Sequence, residues 1–119
     1  MQNDQKIYEE IAKLLVSRAP QDAYVLKFKF SIYPDDNGGD WGYARFMFDY
    51  INSFGEENWY EVKETPVKTA LSKLCSELRK IMQEISGDLW HEMEFTVNLR
   101  EARFKAEFNY DKPISNGIE

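Results

Sequence analysis

Hydrophobic and polar residues along this chain alternate in two rhythms. In DQKIYEEIAKLLVSR, residues 4–18, Ile7, Ile11, Leu14, Leu15 and Arg18 recur at helical spacing. Asp4 can cap the start of that helix and Pro20 closes its end. Residues 65–86 carry a longer stripe of Val67, Ala70, Leu71, Leu74, Leu78, Ile81, Met82 and Ile85. Thr65 suits its N-cap, Pro66 its first turn, and Gly87 the position just past its end.

The remaining segments have period two and read as strands. Tyr24, Leu26, Phe28, Phe30 and Ile32 face one way in residues 23–33, against Lys27, Lys29 and Ser31. Ala44, Phe46, Phe48 and Tyr50 do the same in residues 42–52, where Met47 and Ile51 make the second face less polar. NWYEVK reads as a short third strand, which would complete a meander. Residues 90–99 and 102–110 alternate in turn and form a hairpin, with opposite charges on their outer faces suited to antiparallel pairing. The expected fold is α+β: a single domain over residues 1–119 in the order α-βββ-α-ββ. One antiparallel sheet carries both helices on one face. The core is expected over residues 4–111, with a loose tail at 113–119.

At 119 residues, 43% of them hydrophobic, the chain is long enough for one core and too apolar for disorder. The start has no basic and apolar leader pattern, and no apolar run reaches the roughly 18 residues that a spanning helix needs. The single cysteine, Cys75, leaves no intrachain disulfide to form. These features suit a cytoplasmic protein without a membrane partner.

The net charge of −6 changes this picture because it is concentrated. Asp35, Asp36, Asp40, Asp49, Glu56, Glu57, Glu61 and Glu64 stand against only Arg45 and Lys63 between residues 35 and 64. The rest of the chain balances to zero. Nucleic-acid binding needs a basic footprint, so it is not expected. A local acidic field suits a basic partner, although acidic loops often serve only solubility.

Candidate chemistry is sparse. His91-Glu92 begins like the zinc motif H-E-x-x-H, but Phe95 stands where the second histidine would be. The segment has strand rhythm, so residues i and i+4 do not share a helix face, and a zinc site is not expected. PDDNGGD, residues 34–40, invites a calcium reading, yet position 5 of an EF-hand count from Asp35 is Gly39 and position 12 is Phe46. A flexible acidic loop is the simpler reading. Cys75 lies beside the apolar stripe and reads as packing. Glu92 and Glu94 share a strand face, which is the ordinary place for solvated acids. No phosphate-binding loop or nucleophile elbow occurs, so no catalytic residue, metal or cofactor is expected. Trp90 reads as packing against the end of the second helix, while Trp41 and Trp59 lie inside the acidic block.

The order of elements and several residues resemble the YezG-like immunity (antitoxin) family. The resemblance runs from IYEEIAKLL through FMFDYI and the long amphipathic helix. It ends on Trp90-x-x-Met93-x-Phe95-x-Val97 and Phe104-x-x-x-Phe108-x-Tyr110-Asp111. Family members often carry tryptophan where this chain has Ala23-Tyr24, and glycine at the hairpin turn where it has Glu101-Ala102. The resemblance implies a cytoplasmic, non-enzymatic protein that neutralises a secreted or contact-delivered bacterial toxin, often a nuclease. The expected partner is the cognate toxin domain, bound 1:1. Combined with the charge block, this places the expected interface on Asp35, Asp36, Asp40, Trp41, Glu56, Glu57 and Trp59. Two other readings are an adaptor module, homodimeric through an open sheet edge, and a small enzyme or ligand-binding protein with a pocket between helix and sheet.

Overall fold

Two amphipathic segments and five alternating ones leave the chain few ways to bury its apolar faces. The computed structural model, which describes residues 4–33 and 43–111, shows the expected solution. Its elements are α1 (Asp4–Ser17), β1 (Ala23–Tyr33), β2 (Tyr43–Asn52), β3 (Glu57–Trp59), α2 (Thr65–Ser86), β4 (Glu92–Asn98) and β5 (Arg103–Asn109). All strand pairings are antiparallel, in the order β3-β2-β1-β4-β5. The meander β1-β2-β3 and the hairpin β4-β5 are therefore joined through β1, which becomes the central strand.

The inner face of the sheet is aromatic. Phe28 stacks on Phe48 at 5.3 Å between ring centroids, Phe30 lies 5.3 Å from Phe46, and Phe95 lies 5.3 Å from Phe104. Both helices cover this face. Ile7, Ile11 and Leu15 of α1 and Val67, Leu71, Cys75 and Leu78 of α2 join Leu26, Phe28, Phe30, Ile32, Met93 and Phe95 in one core. Tyr8 of α1 packs against Phe95 and Phe104. Burying each large apolar side chain contributes about 1.5–3 kcal/mol, which is why the helices stay on this face.

Several boundaries differ from the sequence reading. α1 stops at Ser17, and Arg18 lies outside it, paired with Glu64 at 3.3 Å in a surface contact of small energetic weight. Glu64, not Thr65, is the N-cap of α2, and it makes no capping hydrogen bond through its side chain. Cys75 is in the centre of the buried stripe rather than beside it, whereas Ile85 is exposed. β3 ends at Trp59, because the chain turns inward to bury Val62. Of the terminal pattern residues, Trp90 and Phe95 are fully buried, Phe104 is half-buried and Tyr110 is exposed.

The charge pairing expected within the last hairpin does not form. Glu94 faces Glu107 across the ladder, and Glu92 faces Asn109. Glu92 instead meets Lys29 of β1 at 3.4 Å, a contact that depends on β4 lying beside β1.

The β4-β5 turn carries a local cost. Ala102 has φ 54°, a left-handed conformation that an alanine side chain disfavours. Ala102→Gly should therefore stabilise the protein by up to about 1 kcal/mol, seen as a higher urea midpoint at unchanged slope.

Candidate functional site

The helix-free face of the sheet and the β2-β3 hairpin expose the side chains best suited to binding. The hairpin is held by Asn52, a buried residue at the end of β2. The Asn52 Oδ1 accepts hydrogen bonds from the backbone N–H of Phe54 at 2.9 Å and of Glu56 at 3.0 Å. Its Nδ2 donates to Glu56 Oε1 at 2.9 Å. Gly55 turns the chain at φ 81°. The tip is thus a fixed turn, and it holds Phe54 out at 86% exposure.

Trp59 follows on β3, across from Asp49 of β2, and is 75% exposed. Paired residues share a face, so Trp59, Asp49 and Lys27 form one row across the helix-free side. Glu57 sits one row away and meets Lys27 Nζ at 3.3 Å. Met47, 48% exposed, extends the apolar surface along β2.

Beside this hairpin lies a groove of about 450 Å³, lined by Phe46, Met47, Phe48, Asp49, Trp59, Tyr60, Glu61, Val62 and Lys68. It opens where β3 ends and the chain leaves the sheet. Tyr60 forms part of its wall, and burial, then the negative charge of Asp49, pushes its phenol up from 10.0 to about 12. The folded value exceeds the unfolded one, so this contribution to stability is full below pH 10 and is lost as pH rises towards 12. The Tyr60 hydroxyl is buried with no hydrogen-bond partner among the described residues. Tyr60→Phe should leave stability at pH 7 unchanged or raise it by up to about 1 kcal/mol, and should flatten its fall between pH 10 and 12. Urea titrations at pH 7 and pH 11 check both.

The sequence-derived interface residues divide into two groups. Asp35, Asp36, Asp40 and Trp41 lie outside the described residues, as does the whole of PDDNGGD. Glu56, Glu57 and Trp59 come together on the β2-β3 hairpin, all exposed. Of the acids, Glu56 is engaged by Asn52 and Glu57 by Lys27. Asp49 and Glu61, which the sequence reading did not single out, line the groove without an ion-pair partner among the described residues. Phe54 was also missed. Its signal was present in SFGEEN, where an aromatic residue flanked by turn formers has no strand face to bury it.

The other candidates have structural places. His91 is buried just ahead of β4, and Phe95 is in the core. Among the described residues no three His, Cys, Asp or Glu side chains converge as a metal site would require. Cys75 is fully buried, and burial pushes its thiol far up, so it is held in the unreactive protonated form. No described helix is long and apolar enough to cross a membrane.

A family model described as Immunity protein YezG-like matches residues 5–119, nearly the whole chain. A comparison with curated proteins finds no significant match. The matched span takes in α1, the complete sheet and α2, so the agreement extends over the fold and not one motif. The chain belongs to the YezG-like family of immunity proteins.

Proposed function

We propose that this protein neutralises a cognate toxin by tight 1:1 binding, with the β2-β3 hairpin and its acidic surroundings as the contact surface. The toxin is a secreted or contact-delivered bacterial protein whose toxic domain is a basic nuclease. Neutralisation takes place in the cytoplasm and involves no catalysis by the immunity protein. The observation that carries this reading is an exposed tryptophan and phenylalanine on one fixed hairpin inside the acidic segment of the chain. Large aromatic side chains dominate binding energy at protein interfaces, and complementary charge speeds encounter. By sequence, Asp35, Asp36, Asp40 and Trp41 add to the same acidic segment, and we include them in the proposed interface. Carboxylates on such a surface can occupy the positions that nucleic-acid phosphates take on a nuclease.

Co-expression tests the function. The toxic domain encoded beside this chain is expressed with and without it, and growth is expected only in its presence. Unprotected cells would sink the proposal. A second reading, an adaptor that pairs with itself, is favoured by the length of β2 that β3 leaves uncovered. Light scattering that gives a dimer, with no toxin recovered in a pull-down, would support it instead.

A further inference from the structure

β2 runs over ten residues, but β3 covers only one end of it. The ladder between them pairs Asp49, Tyr50 and Ile51 with Trp59, Asn58 and Glu57. It is extended at one end by Asn52 N–H donating to the Glu56 carbonyl at 3.0 Å and at the other by Tyr60 N–H donating to the Phe48 carbonyl at 3.0 Å. Beyond Phe48 the chain turns away to bury Val62. Along Tyr43–Met47, the edge of β2 away from β1 has no strand beside it among the described residues.

The direction of the free backbone groups follows from strand geometry. Alternate residues of an antiparallel strand bond to opposite neighbours. Asn52 and Phe48 bond towards β3, and the β1-β2 register runs without a shift from Ile51 to Tyr43. Ala44 and Phe46 therefore direct their N–H and C=O groups to the open edge. Sheet edges are usually guarded by charge. β5, the opposite edge, carries Arg103, Lys105 and Glu107 on its outer face. The open part of β2 carries only Arg45, beside exposed Tyr43 and Met47. The groove lies against this edge, with apolar walls from Phe46, Phe48 and Val62 and the acids Asp49 and Glu61, which have no ion-pair partner among the described residues.

We infer that the β2 edge at Tyr43–Met47 receives an extended, basic segment of the toxin domain as a sixth strand of the sheet. This rests on the proposed function and specifies its binding mode. About five residues of the segment pair with β2 through the backbone groups of Ala44 and Phe46. Its apolar side chains enter the groove, and its cations meet Asp49 and Glu61. The charge of the groove selects the occupant: its two carboxylates face only Lys68 among the lining residues.

The test uses the catalytically inactivated toxin domain that co-expression identifies, with amide hydrogen exchange read by NMR. In the wild-type protein, the Ala44 and Phe46 amides should exchange at least tenfold more slowly in the complex than in the free protein. Ala44→Pro removes an N–H that bonds nothing within the sheet, and proline is tolerated at such an edge position. It should weaken binding tenfold or more with an unchanged thermal melt. If the complex forms with no protection at Ala44 and Phe46, the inference is overturned while the immunity function stands. If these amides are already protected in a toxin-free dimer, the edge belongs to a second copy and the inference fails. If the wild-type protein binds no toxin at all, the functional reading itself has failed, and the inference with it. The exchange measurement needs no variant, so misfolding of Ala44→Pro would leave the test decisive.

Discussion

Trp90→Ala should destabilise the protein by about 3–5 kcal/mol, the range for truncating a buried Trp or Phe. Trp90 is the largest fully buried side chain among the described residues. It lies edge-on to Phe30 of β1 at 6.3 Å and tilted against Phe108 of β5 at 5.3 Å. Its carbonyl accepts a hydrogen bond from Arg79 Nε of α2 at 2.6 Å. The residue therefore ties both strands flanking β4 to the helix that covers them. Small domains have about 5–15 kcal/mol of total stability, so losing the indole removes a large share of it. Urea unfolding followed by far-UV circular dichroism measures the loss. Trp90→Phe should cost well under half as much. It keeps most of the ring contact and deletes an indole N–H that is buried with no acceptor among the described residues. Equal losses for the two variants would mean that ring packing is not what Trp90 contributes.

Trp59→Ala should do the reverse, sparing the fold and damaging binding. With 75% of its surface in water, Trp59 contributes little to the core, and stability should change by no more than about 0.5 kcal/mol. Affinity for the toxin domain should fall by about 2–4 kcal/mol, or roughly 30- to 1,000-fold, as for a central aromatic anchor. Calorimetric titration of the inactivated toxin domain reads this directly. An affinity within threefold of wild type would move the interface away from β3, even if the protein still protects cells. Glu57→Lys is a useful contrast. Lys27 already offsets the charge of Glu57, so the effect should be smaller and should shrink further at high salt.

Most of the architecture was legible in residue periodicity. Seven elements in the order α-βββ-α-ββ follow from where period 3.6 gives way to period 2, and each lies within a few residues of its expected place. Local rules were weaker where two segments compete for the same space. The NWYEVK strand was cut to three residues because Val62 gains more by entering the core than by pairing with β2. Trp90 has the outward parity of its strand, yet the chain bends ahead of Glu92 and the indole reaches the inner face. Cys75 entered the buried stripe because its position depends on how α2 is rotated over the sheet.

The candidate site was legible in part. Glu56, Glu57 and Trp59 could be chosen from charge and residue type alone, and they do share one hairpin. That Glu56 and Glu57 are engaged by Asn52 and Lys27, whereas Asp49 and Glu61 line a groove with no ion-pair partner among the described residues, could not be read from the chain. Partners 30 residues apart in sequence, such as Lys27 and Glu57, meet only through strand register.

The sequence by itself determined the elements, their order and the family, because periodicity and turn chemistry act between residues a few positions apart. Only the tertiary structure decided that β1 is central, that the β4-β5 hairpin joins it opposite β2, and that among the described residues β3 covers only one half of the outer edge of β2. Those outcomes depend on which apolar faces are covered together, and the burial energy that selects them is summed over segments far apart in the chain.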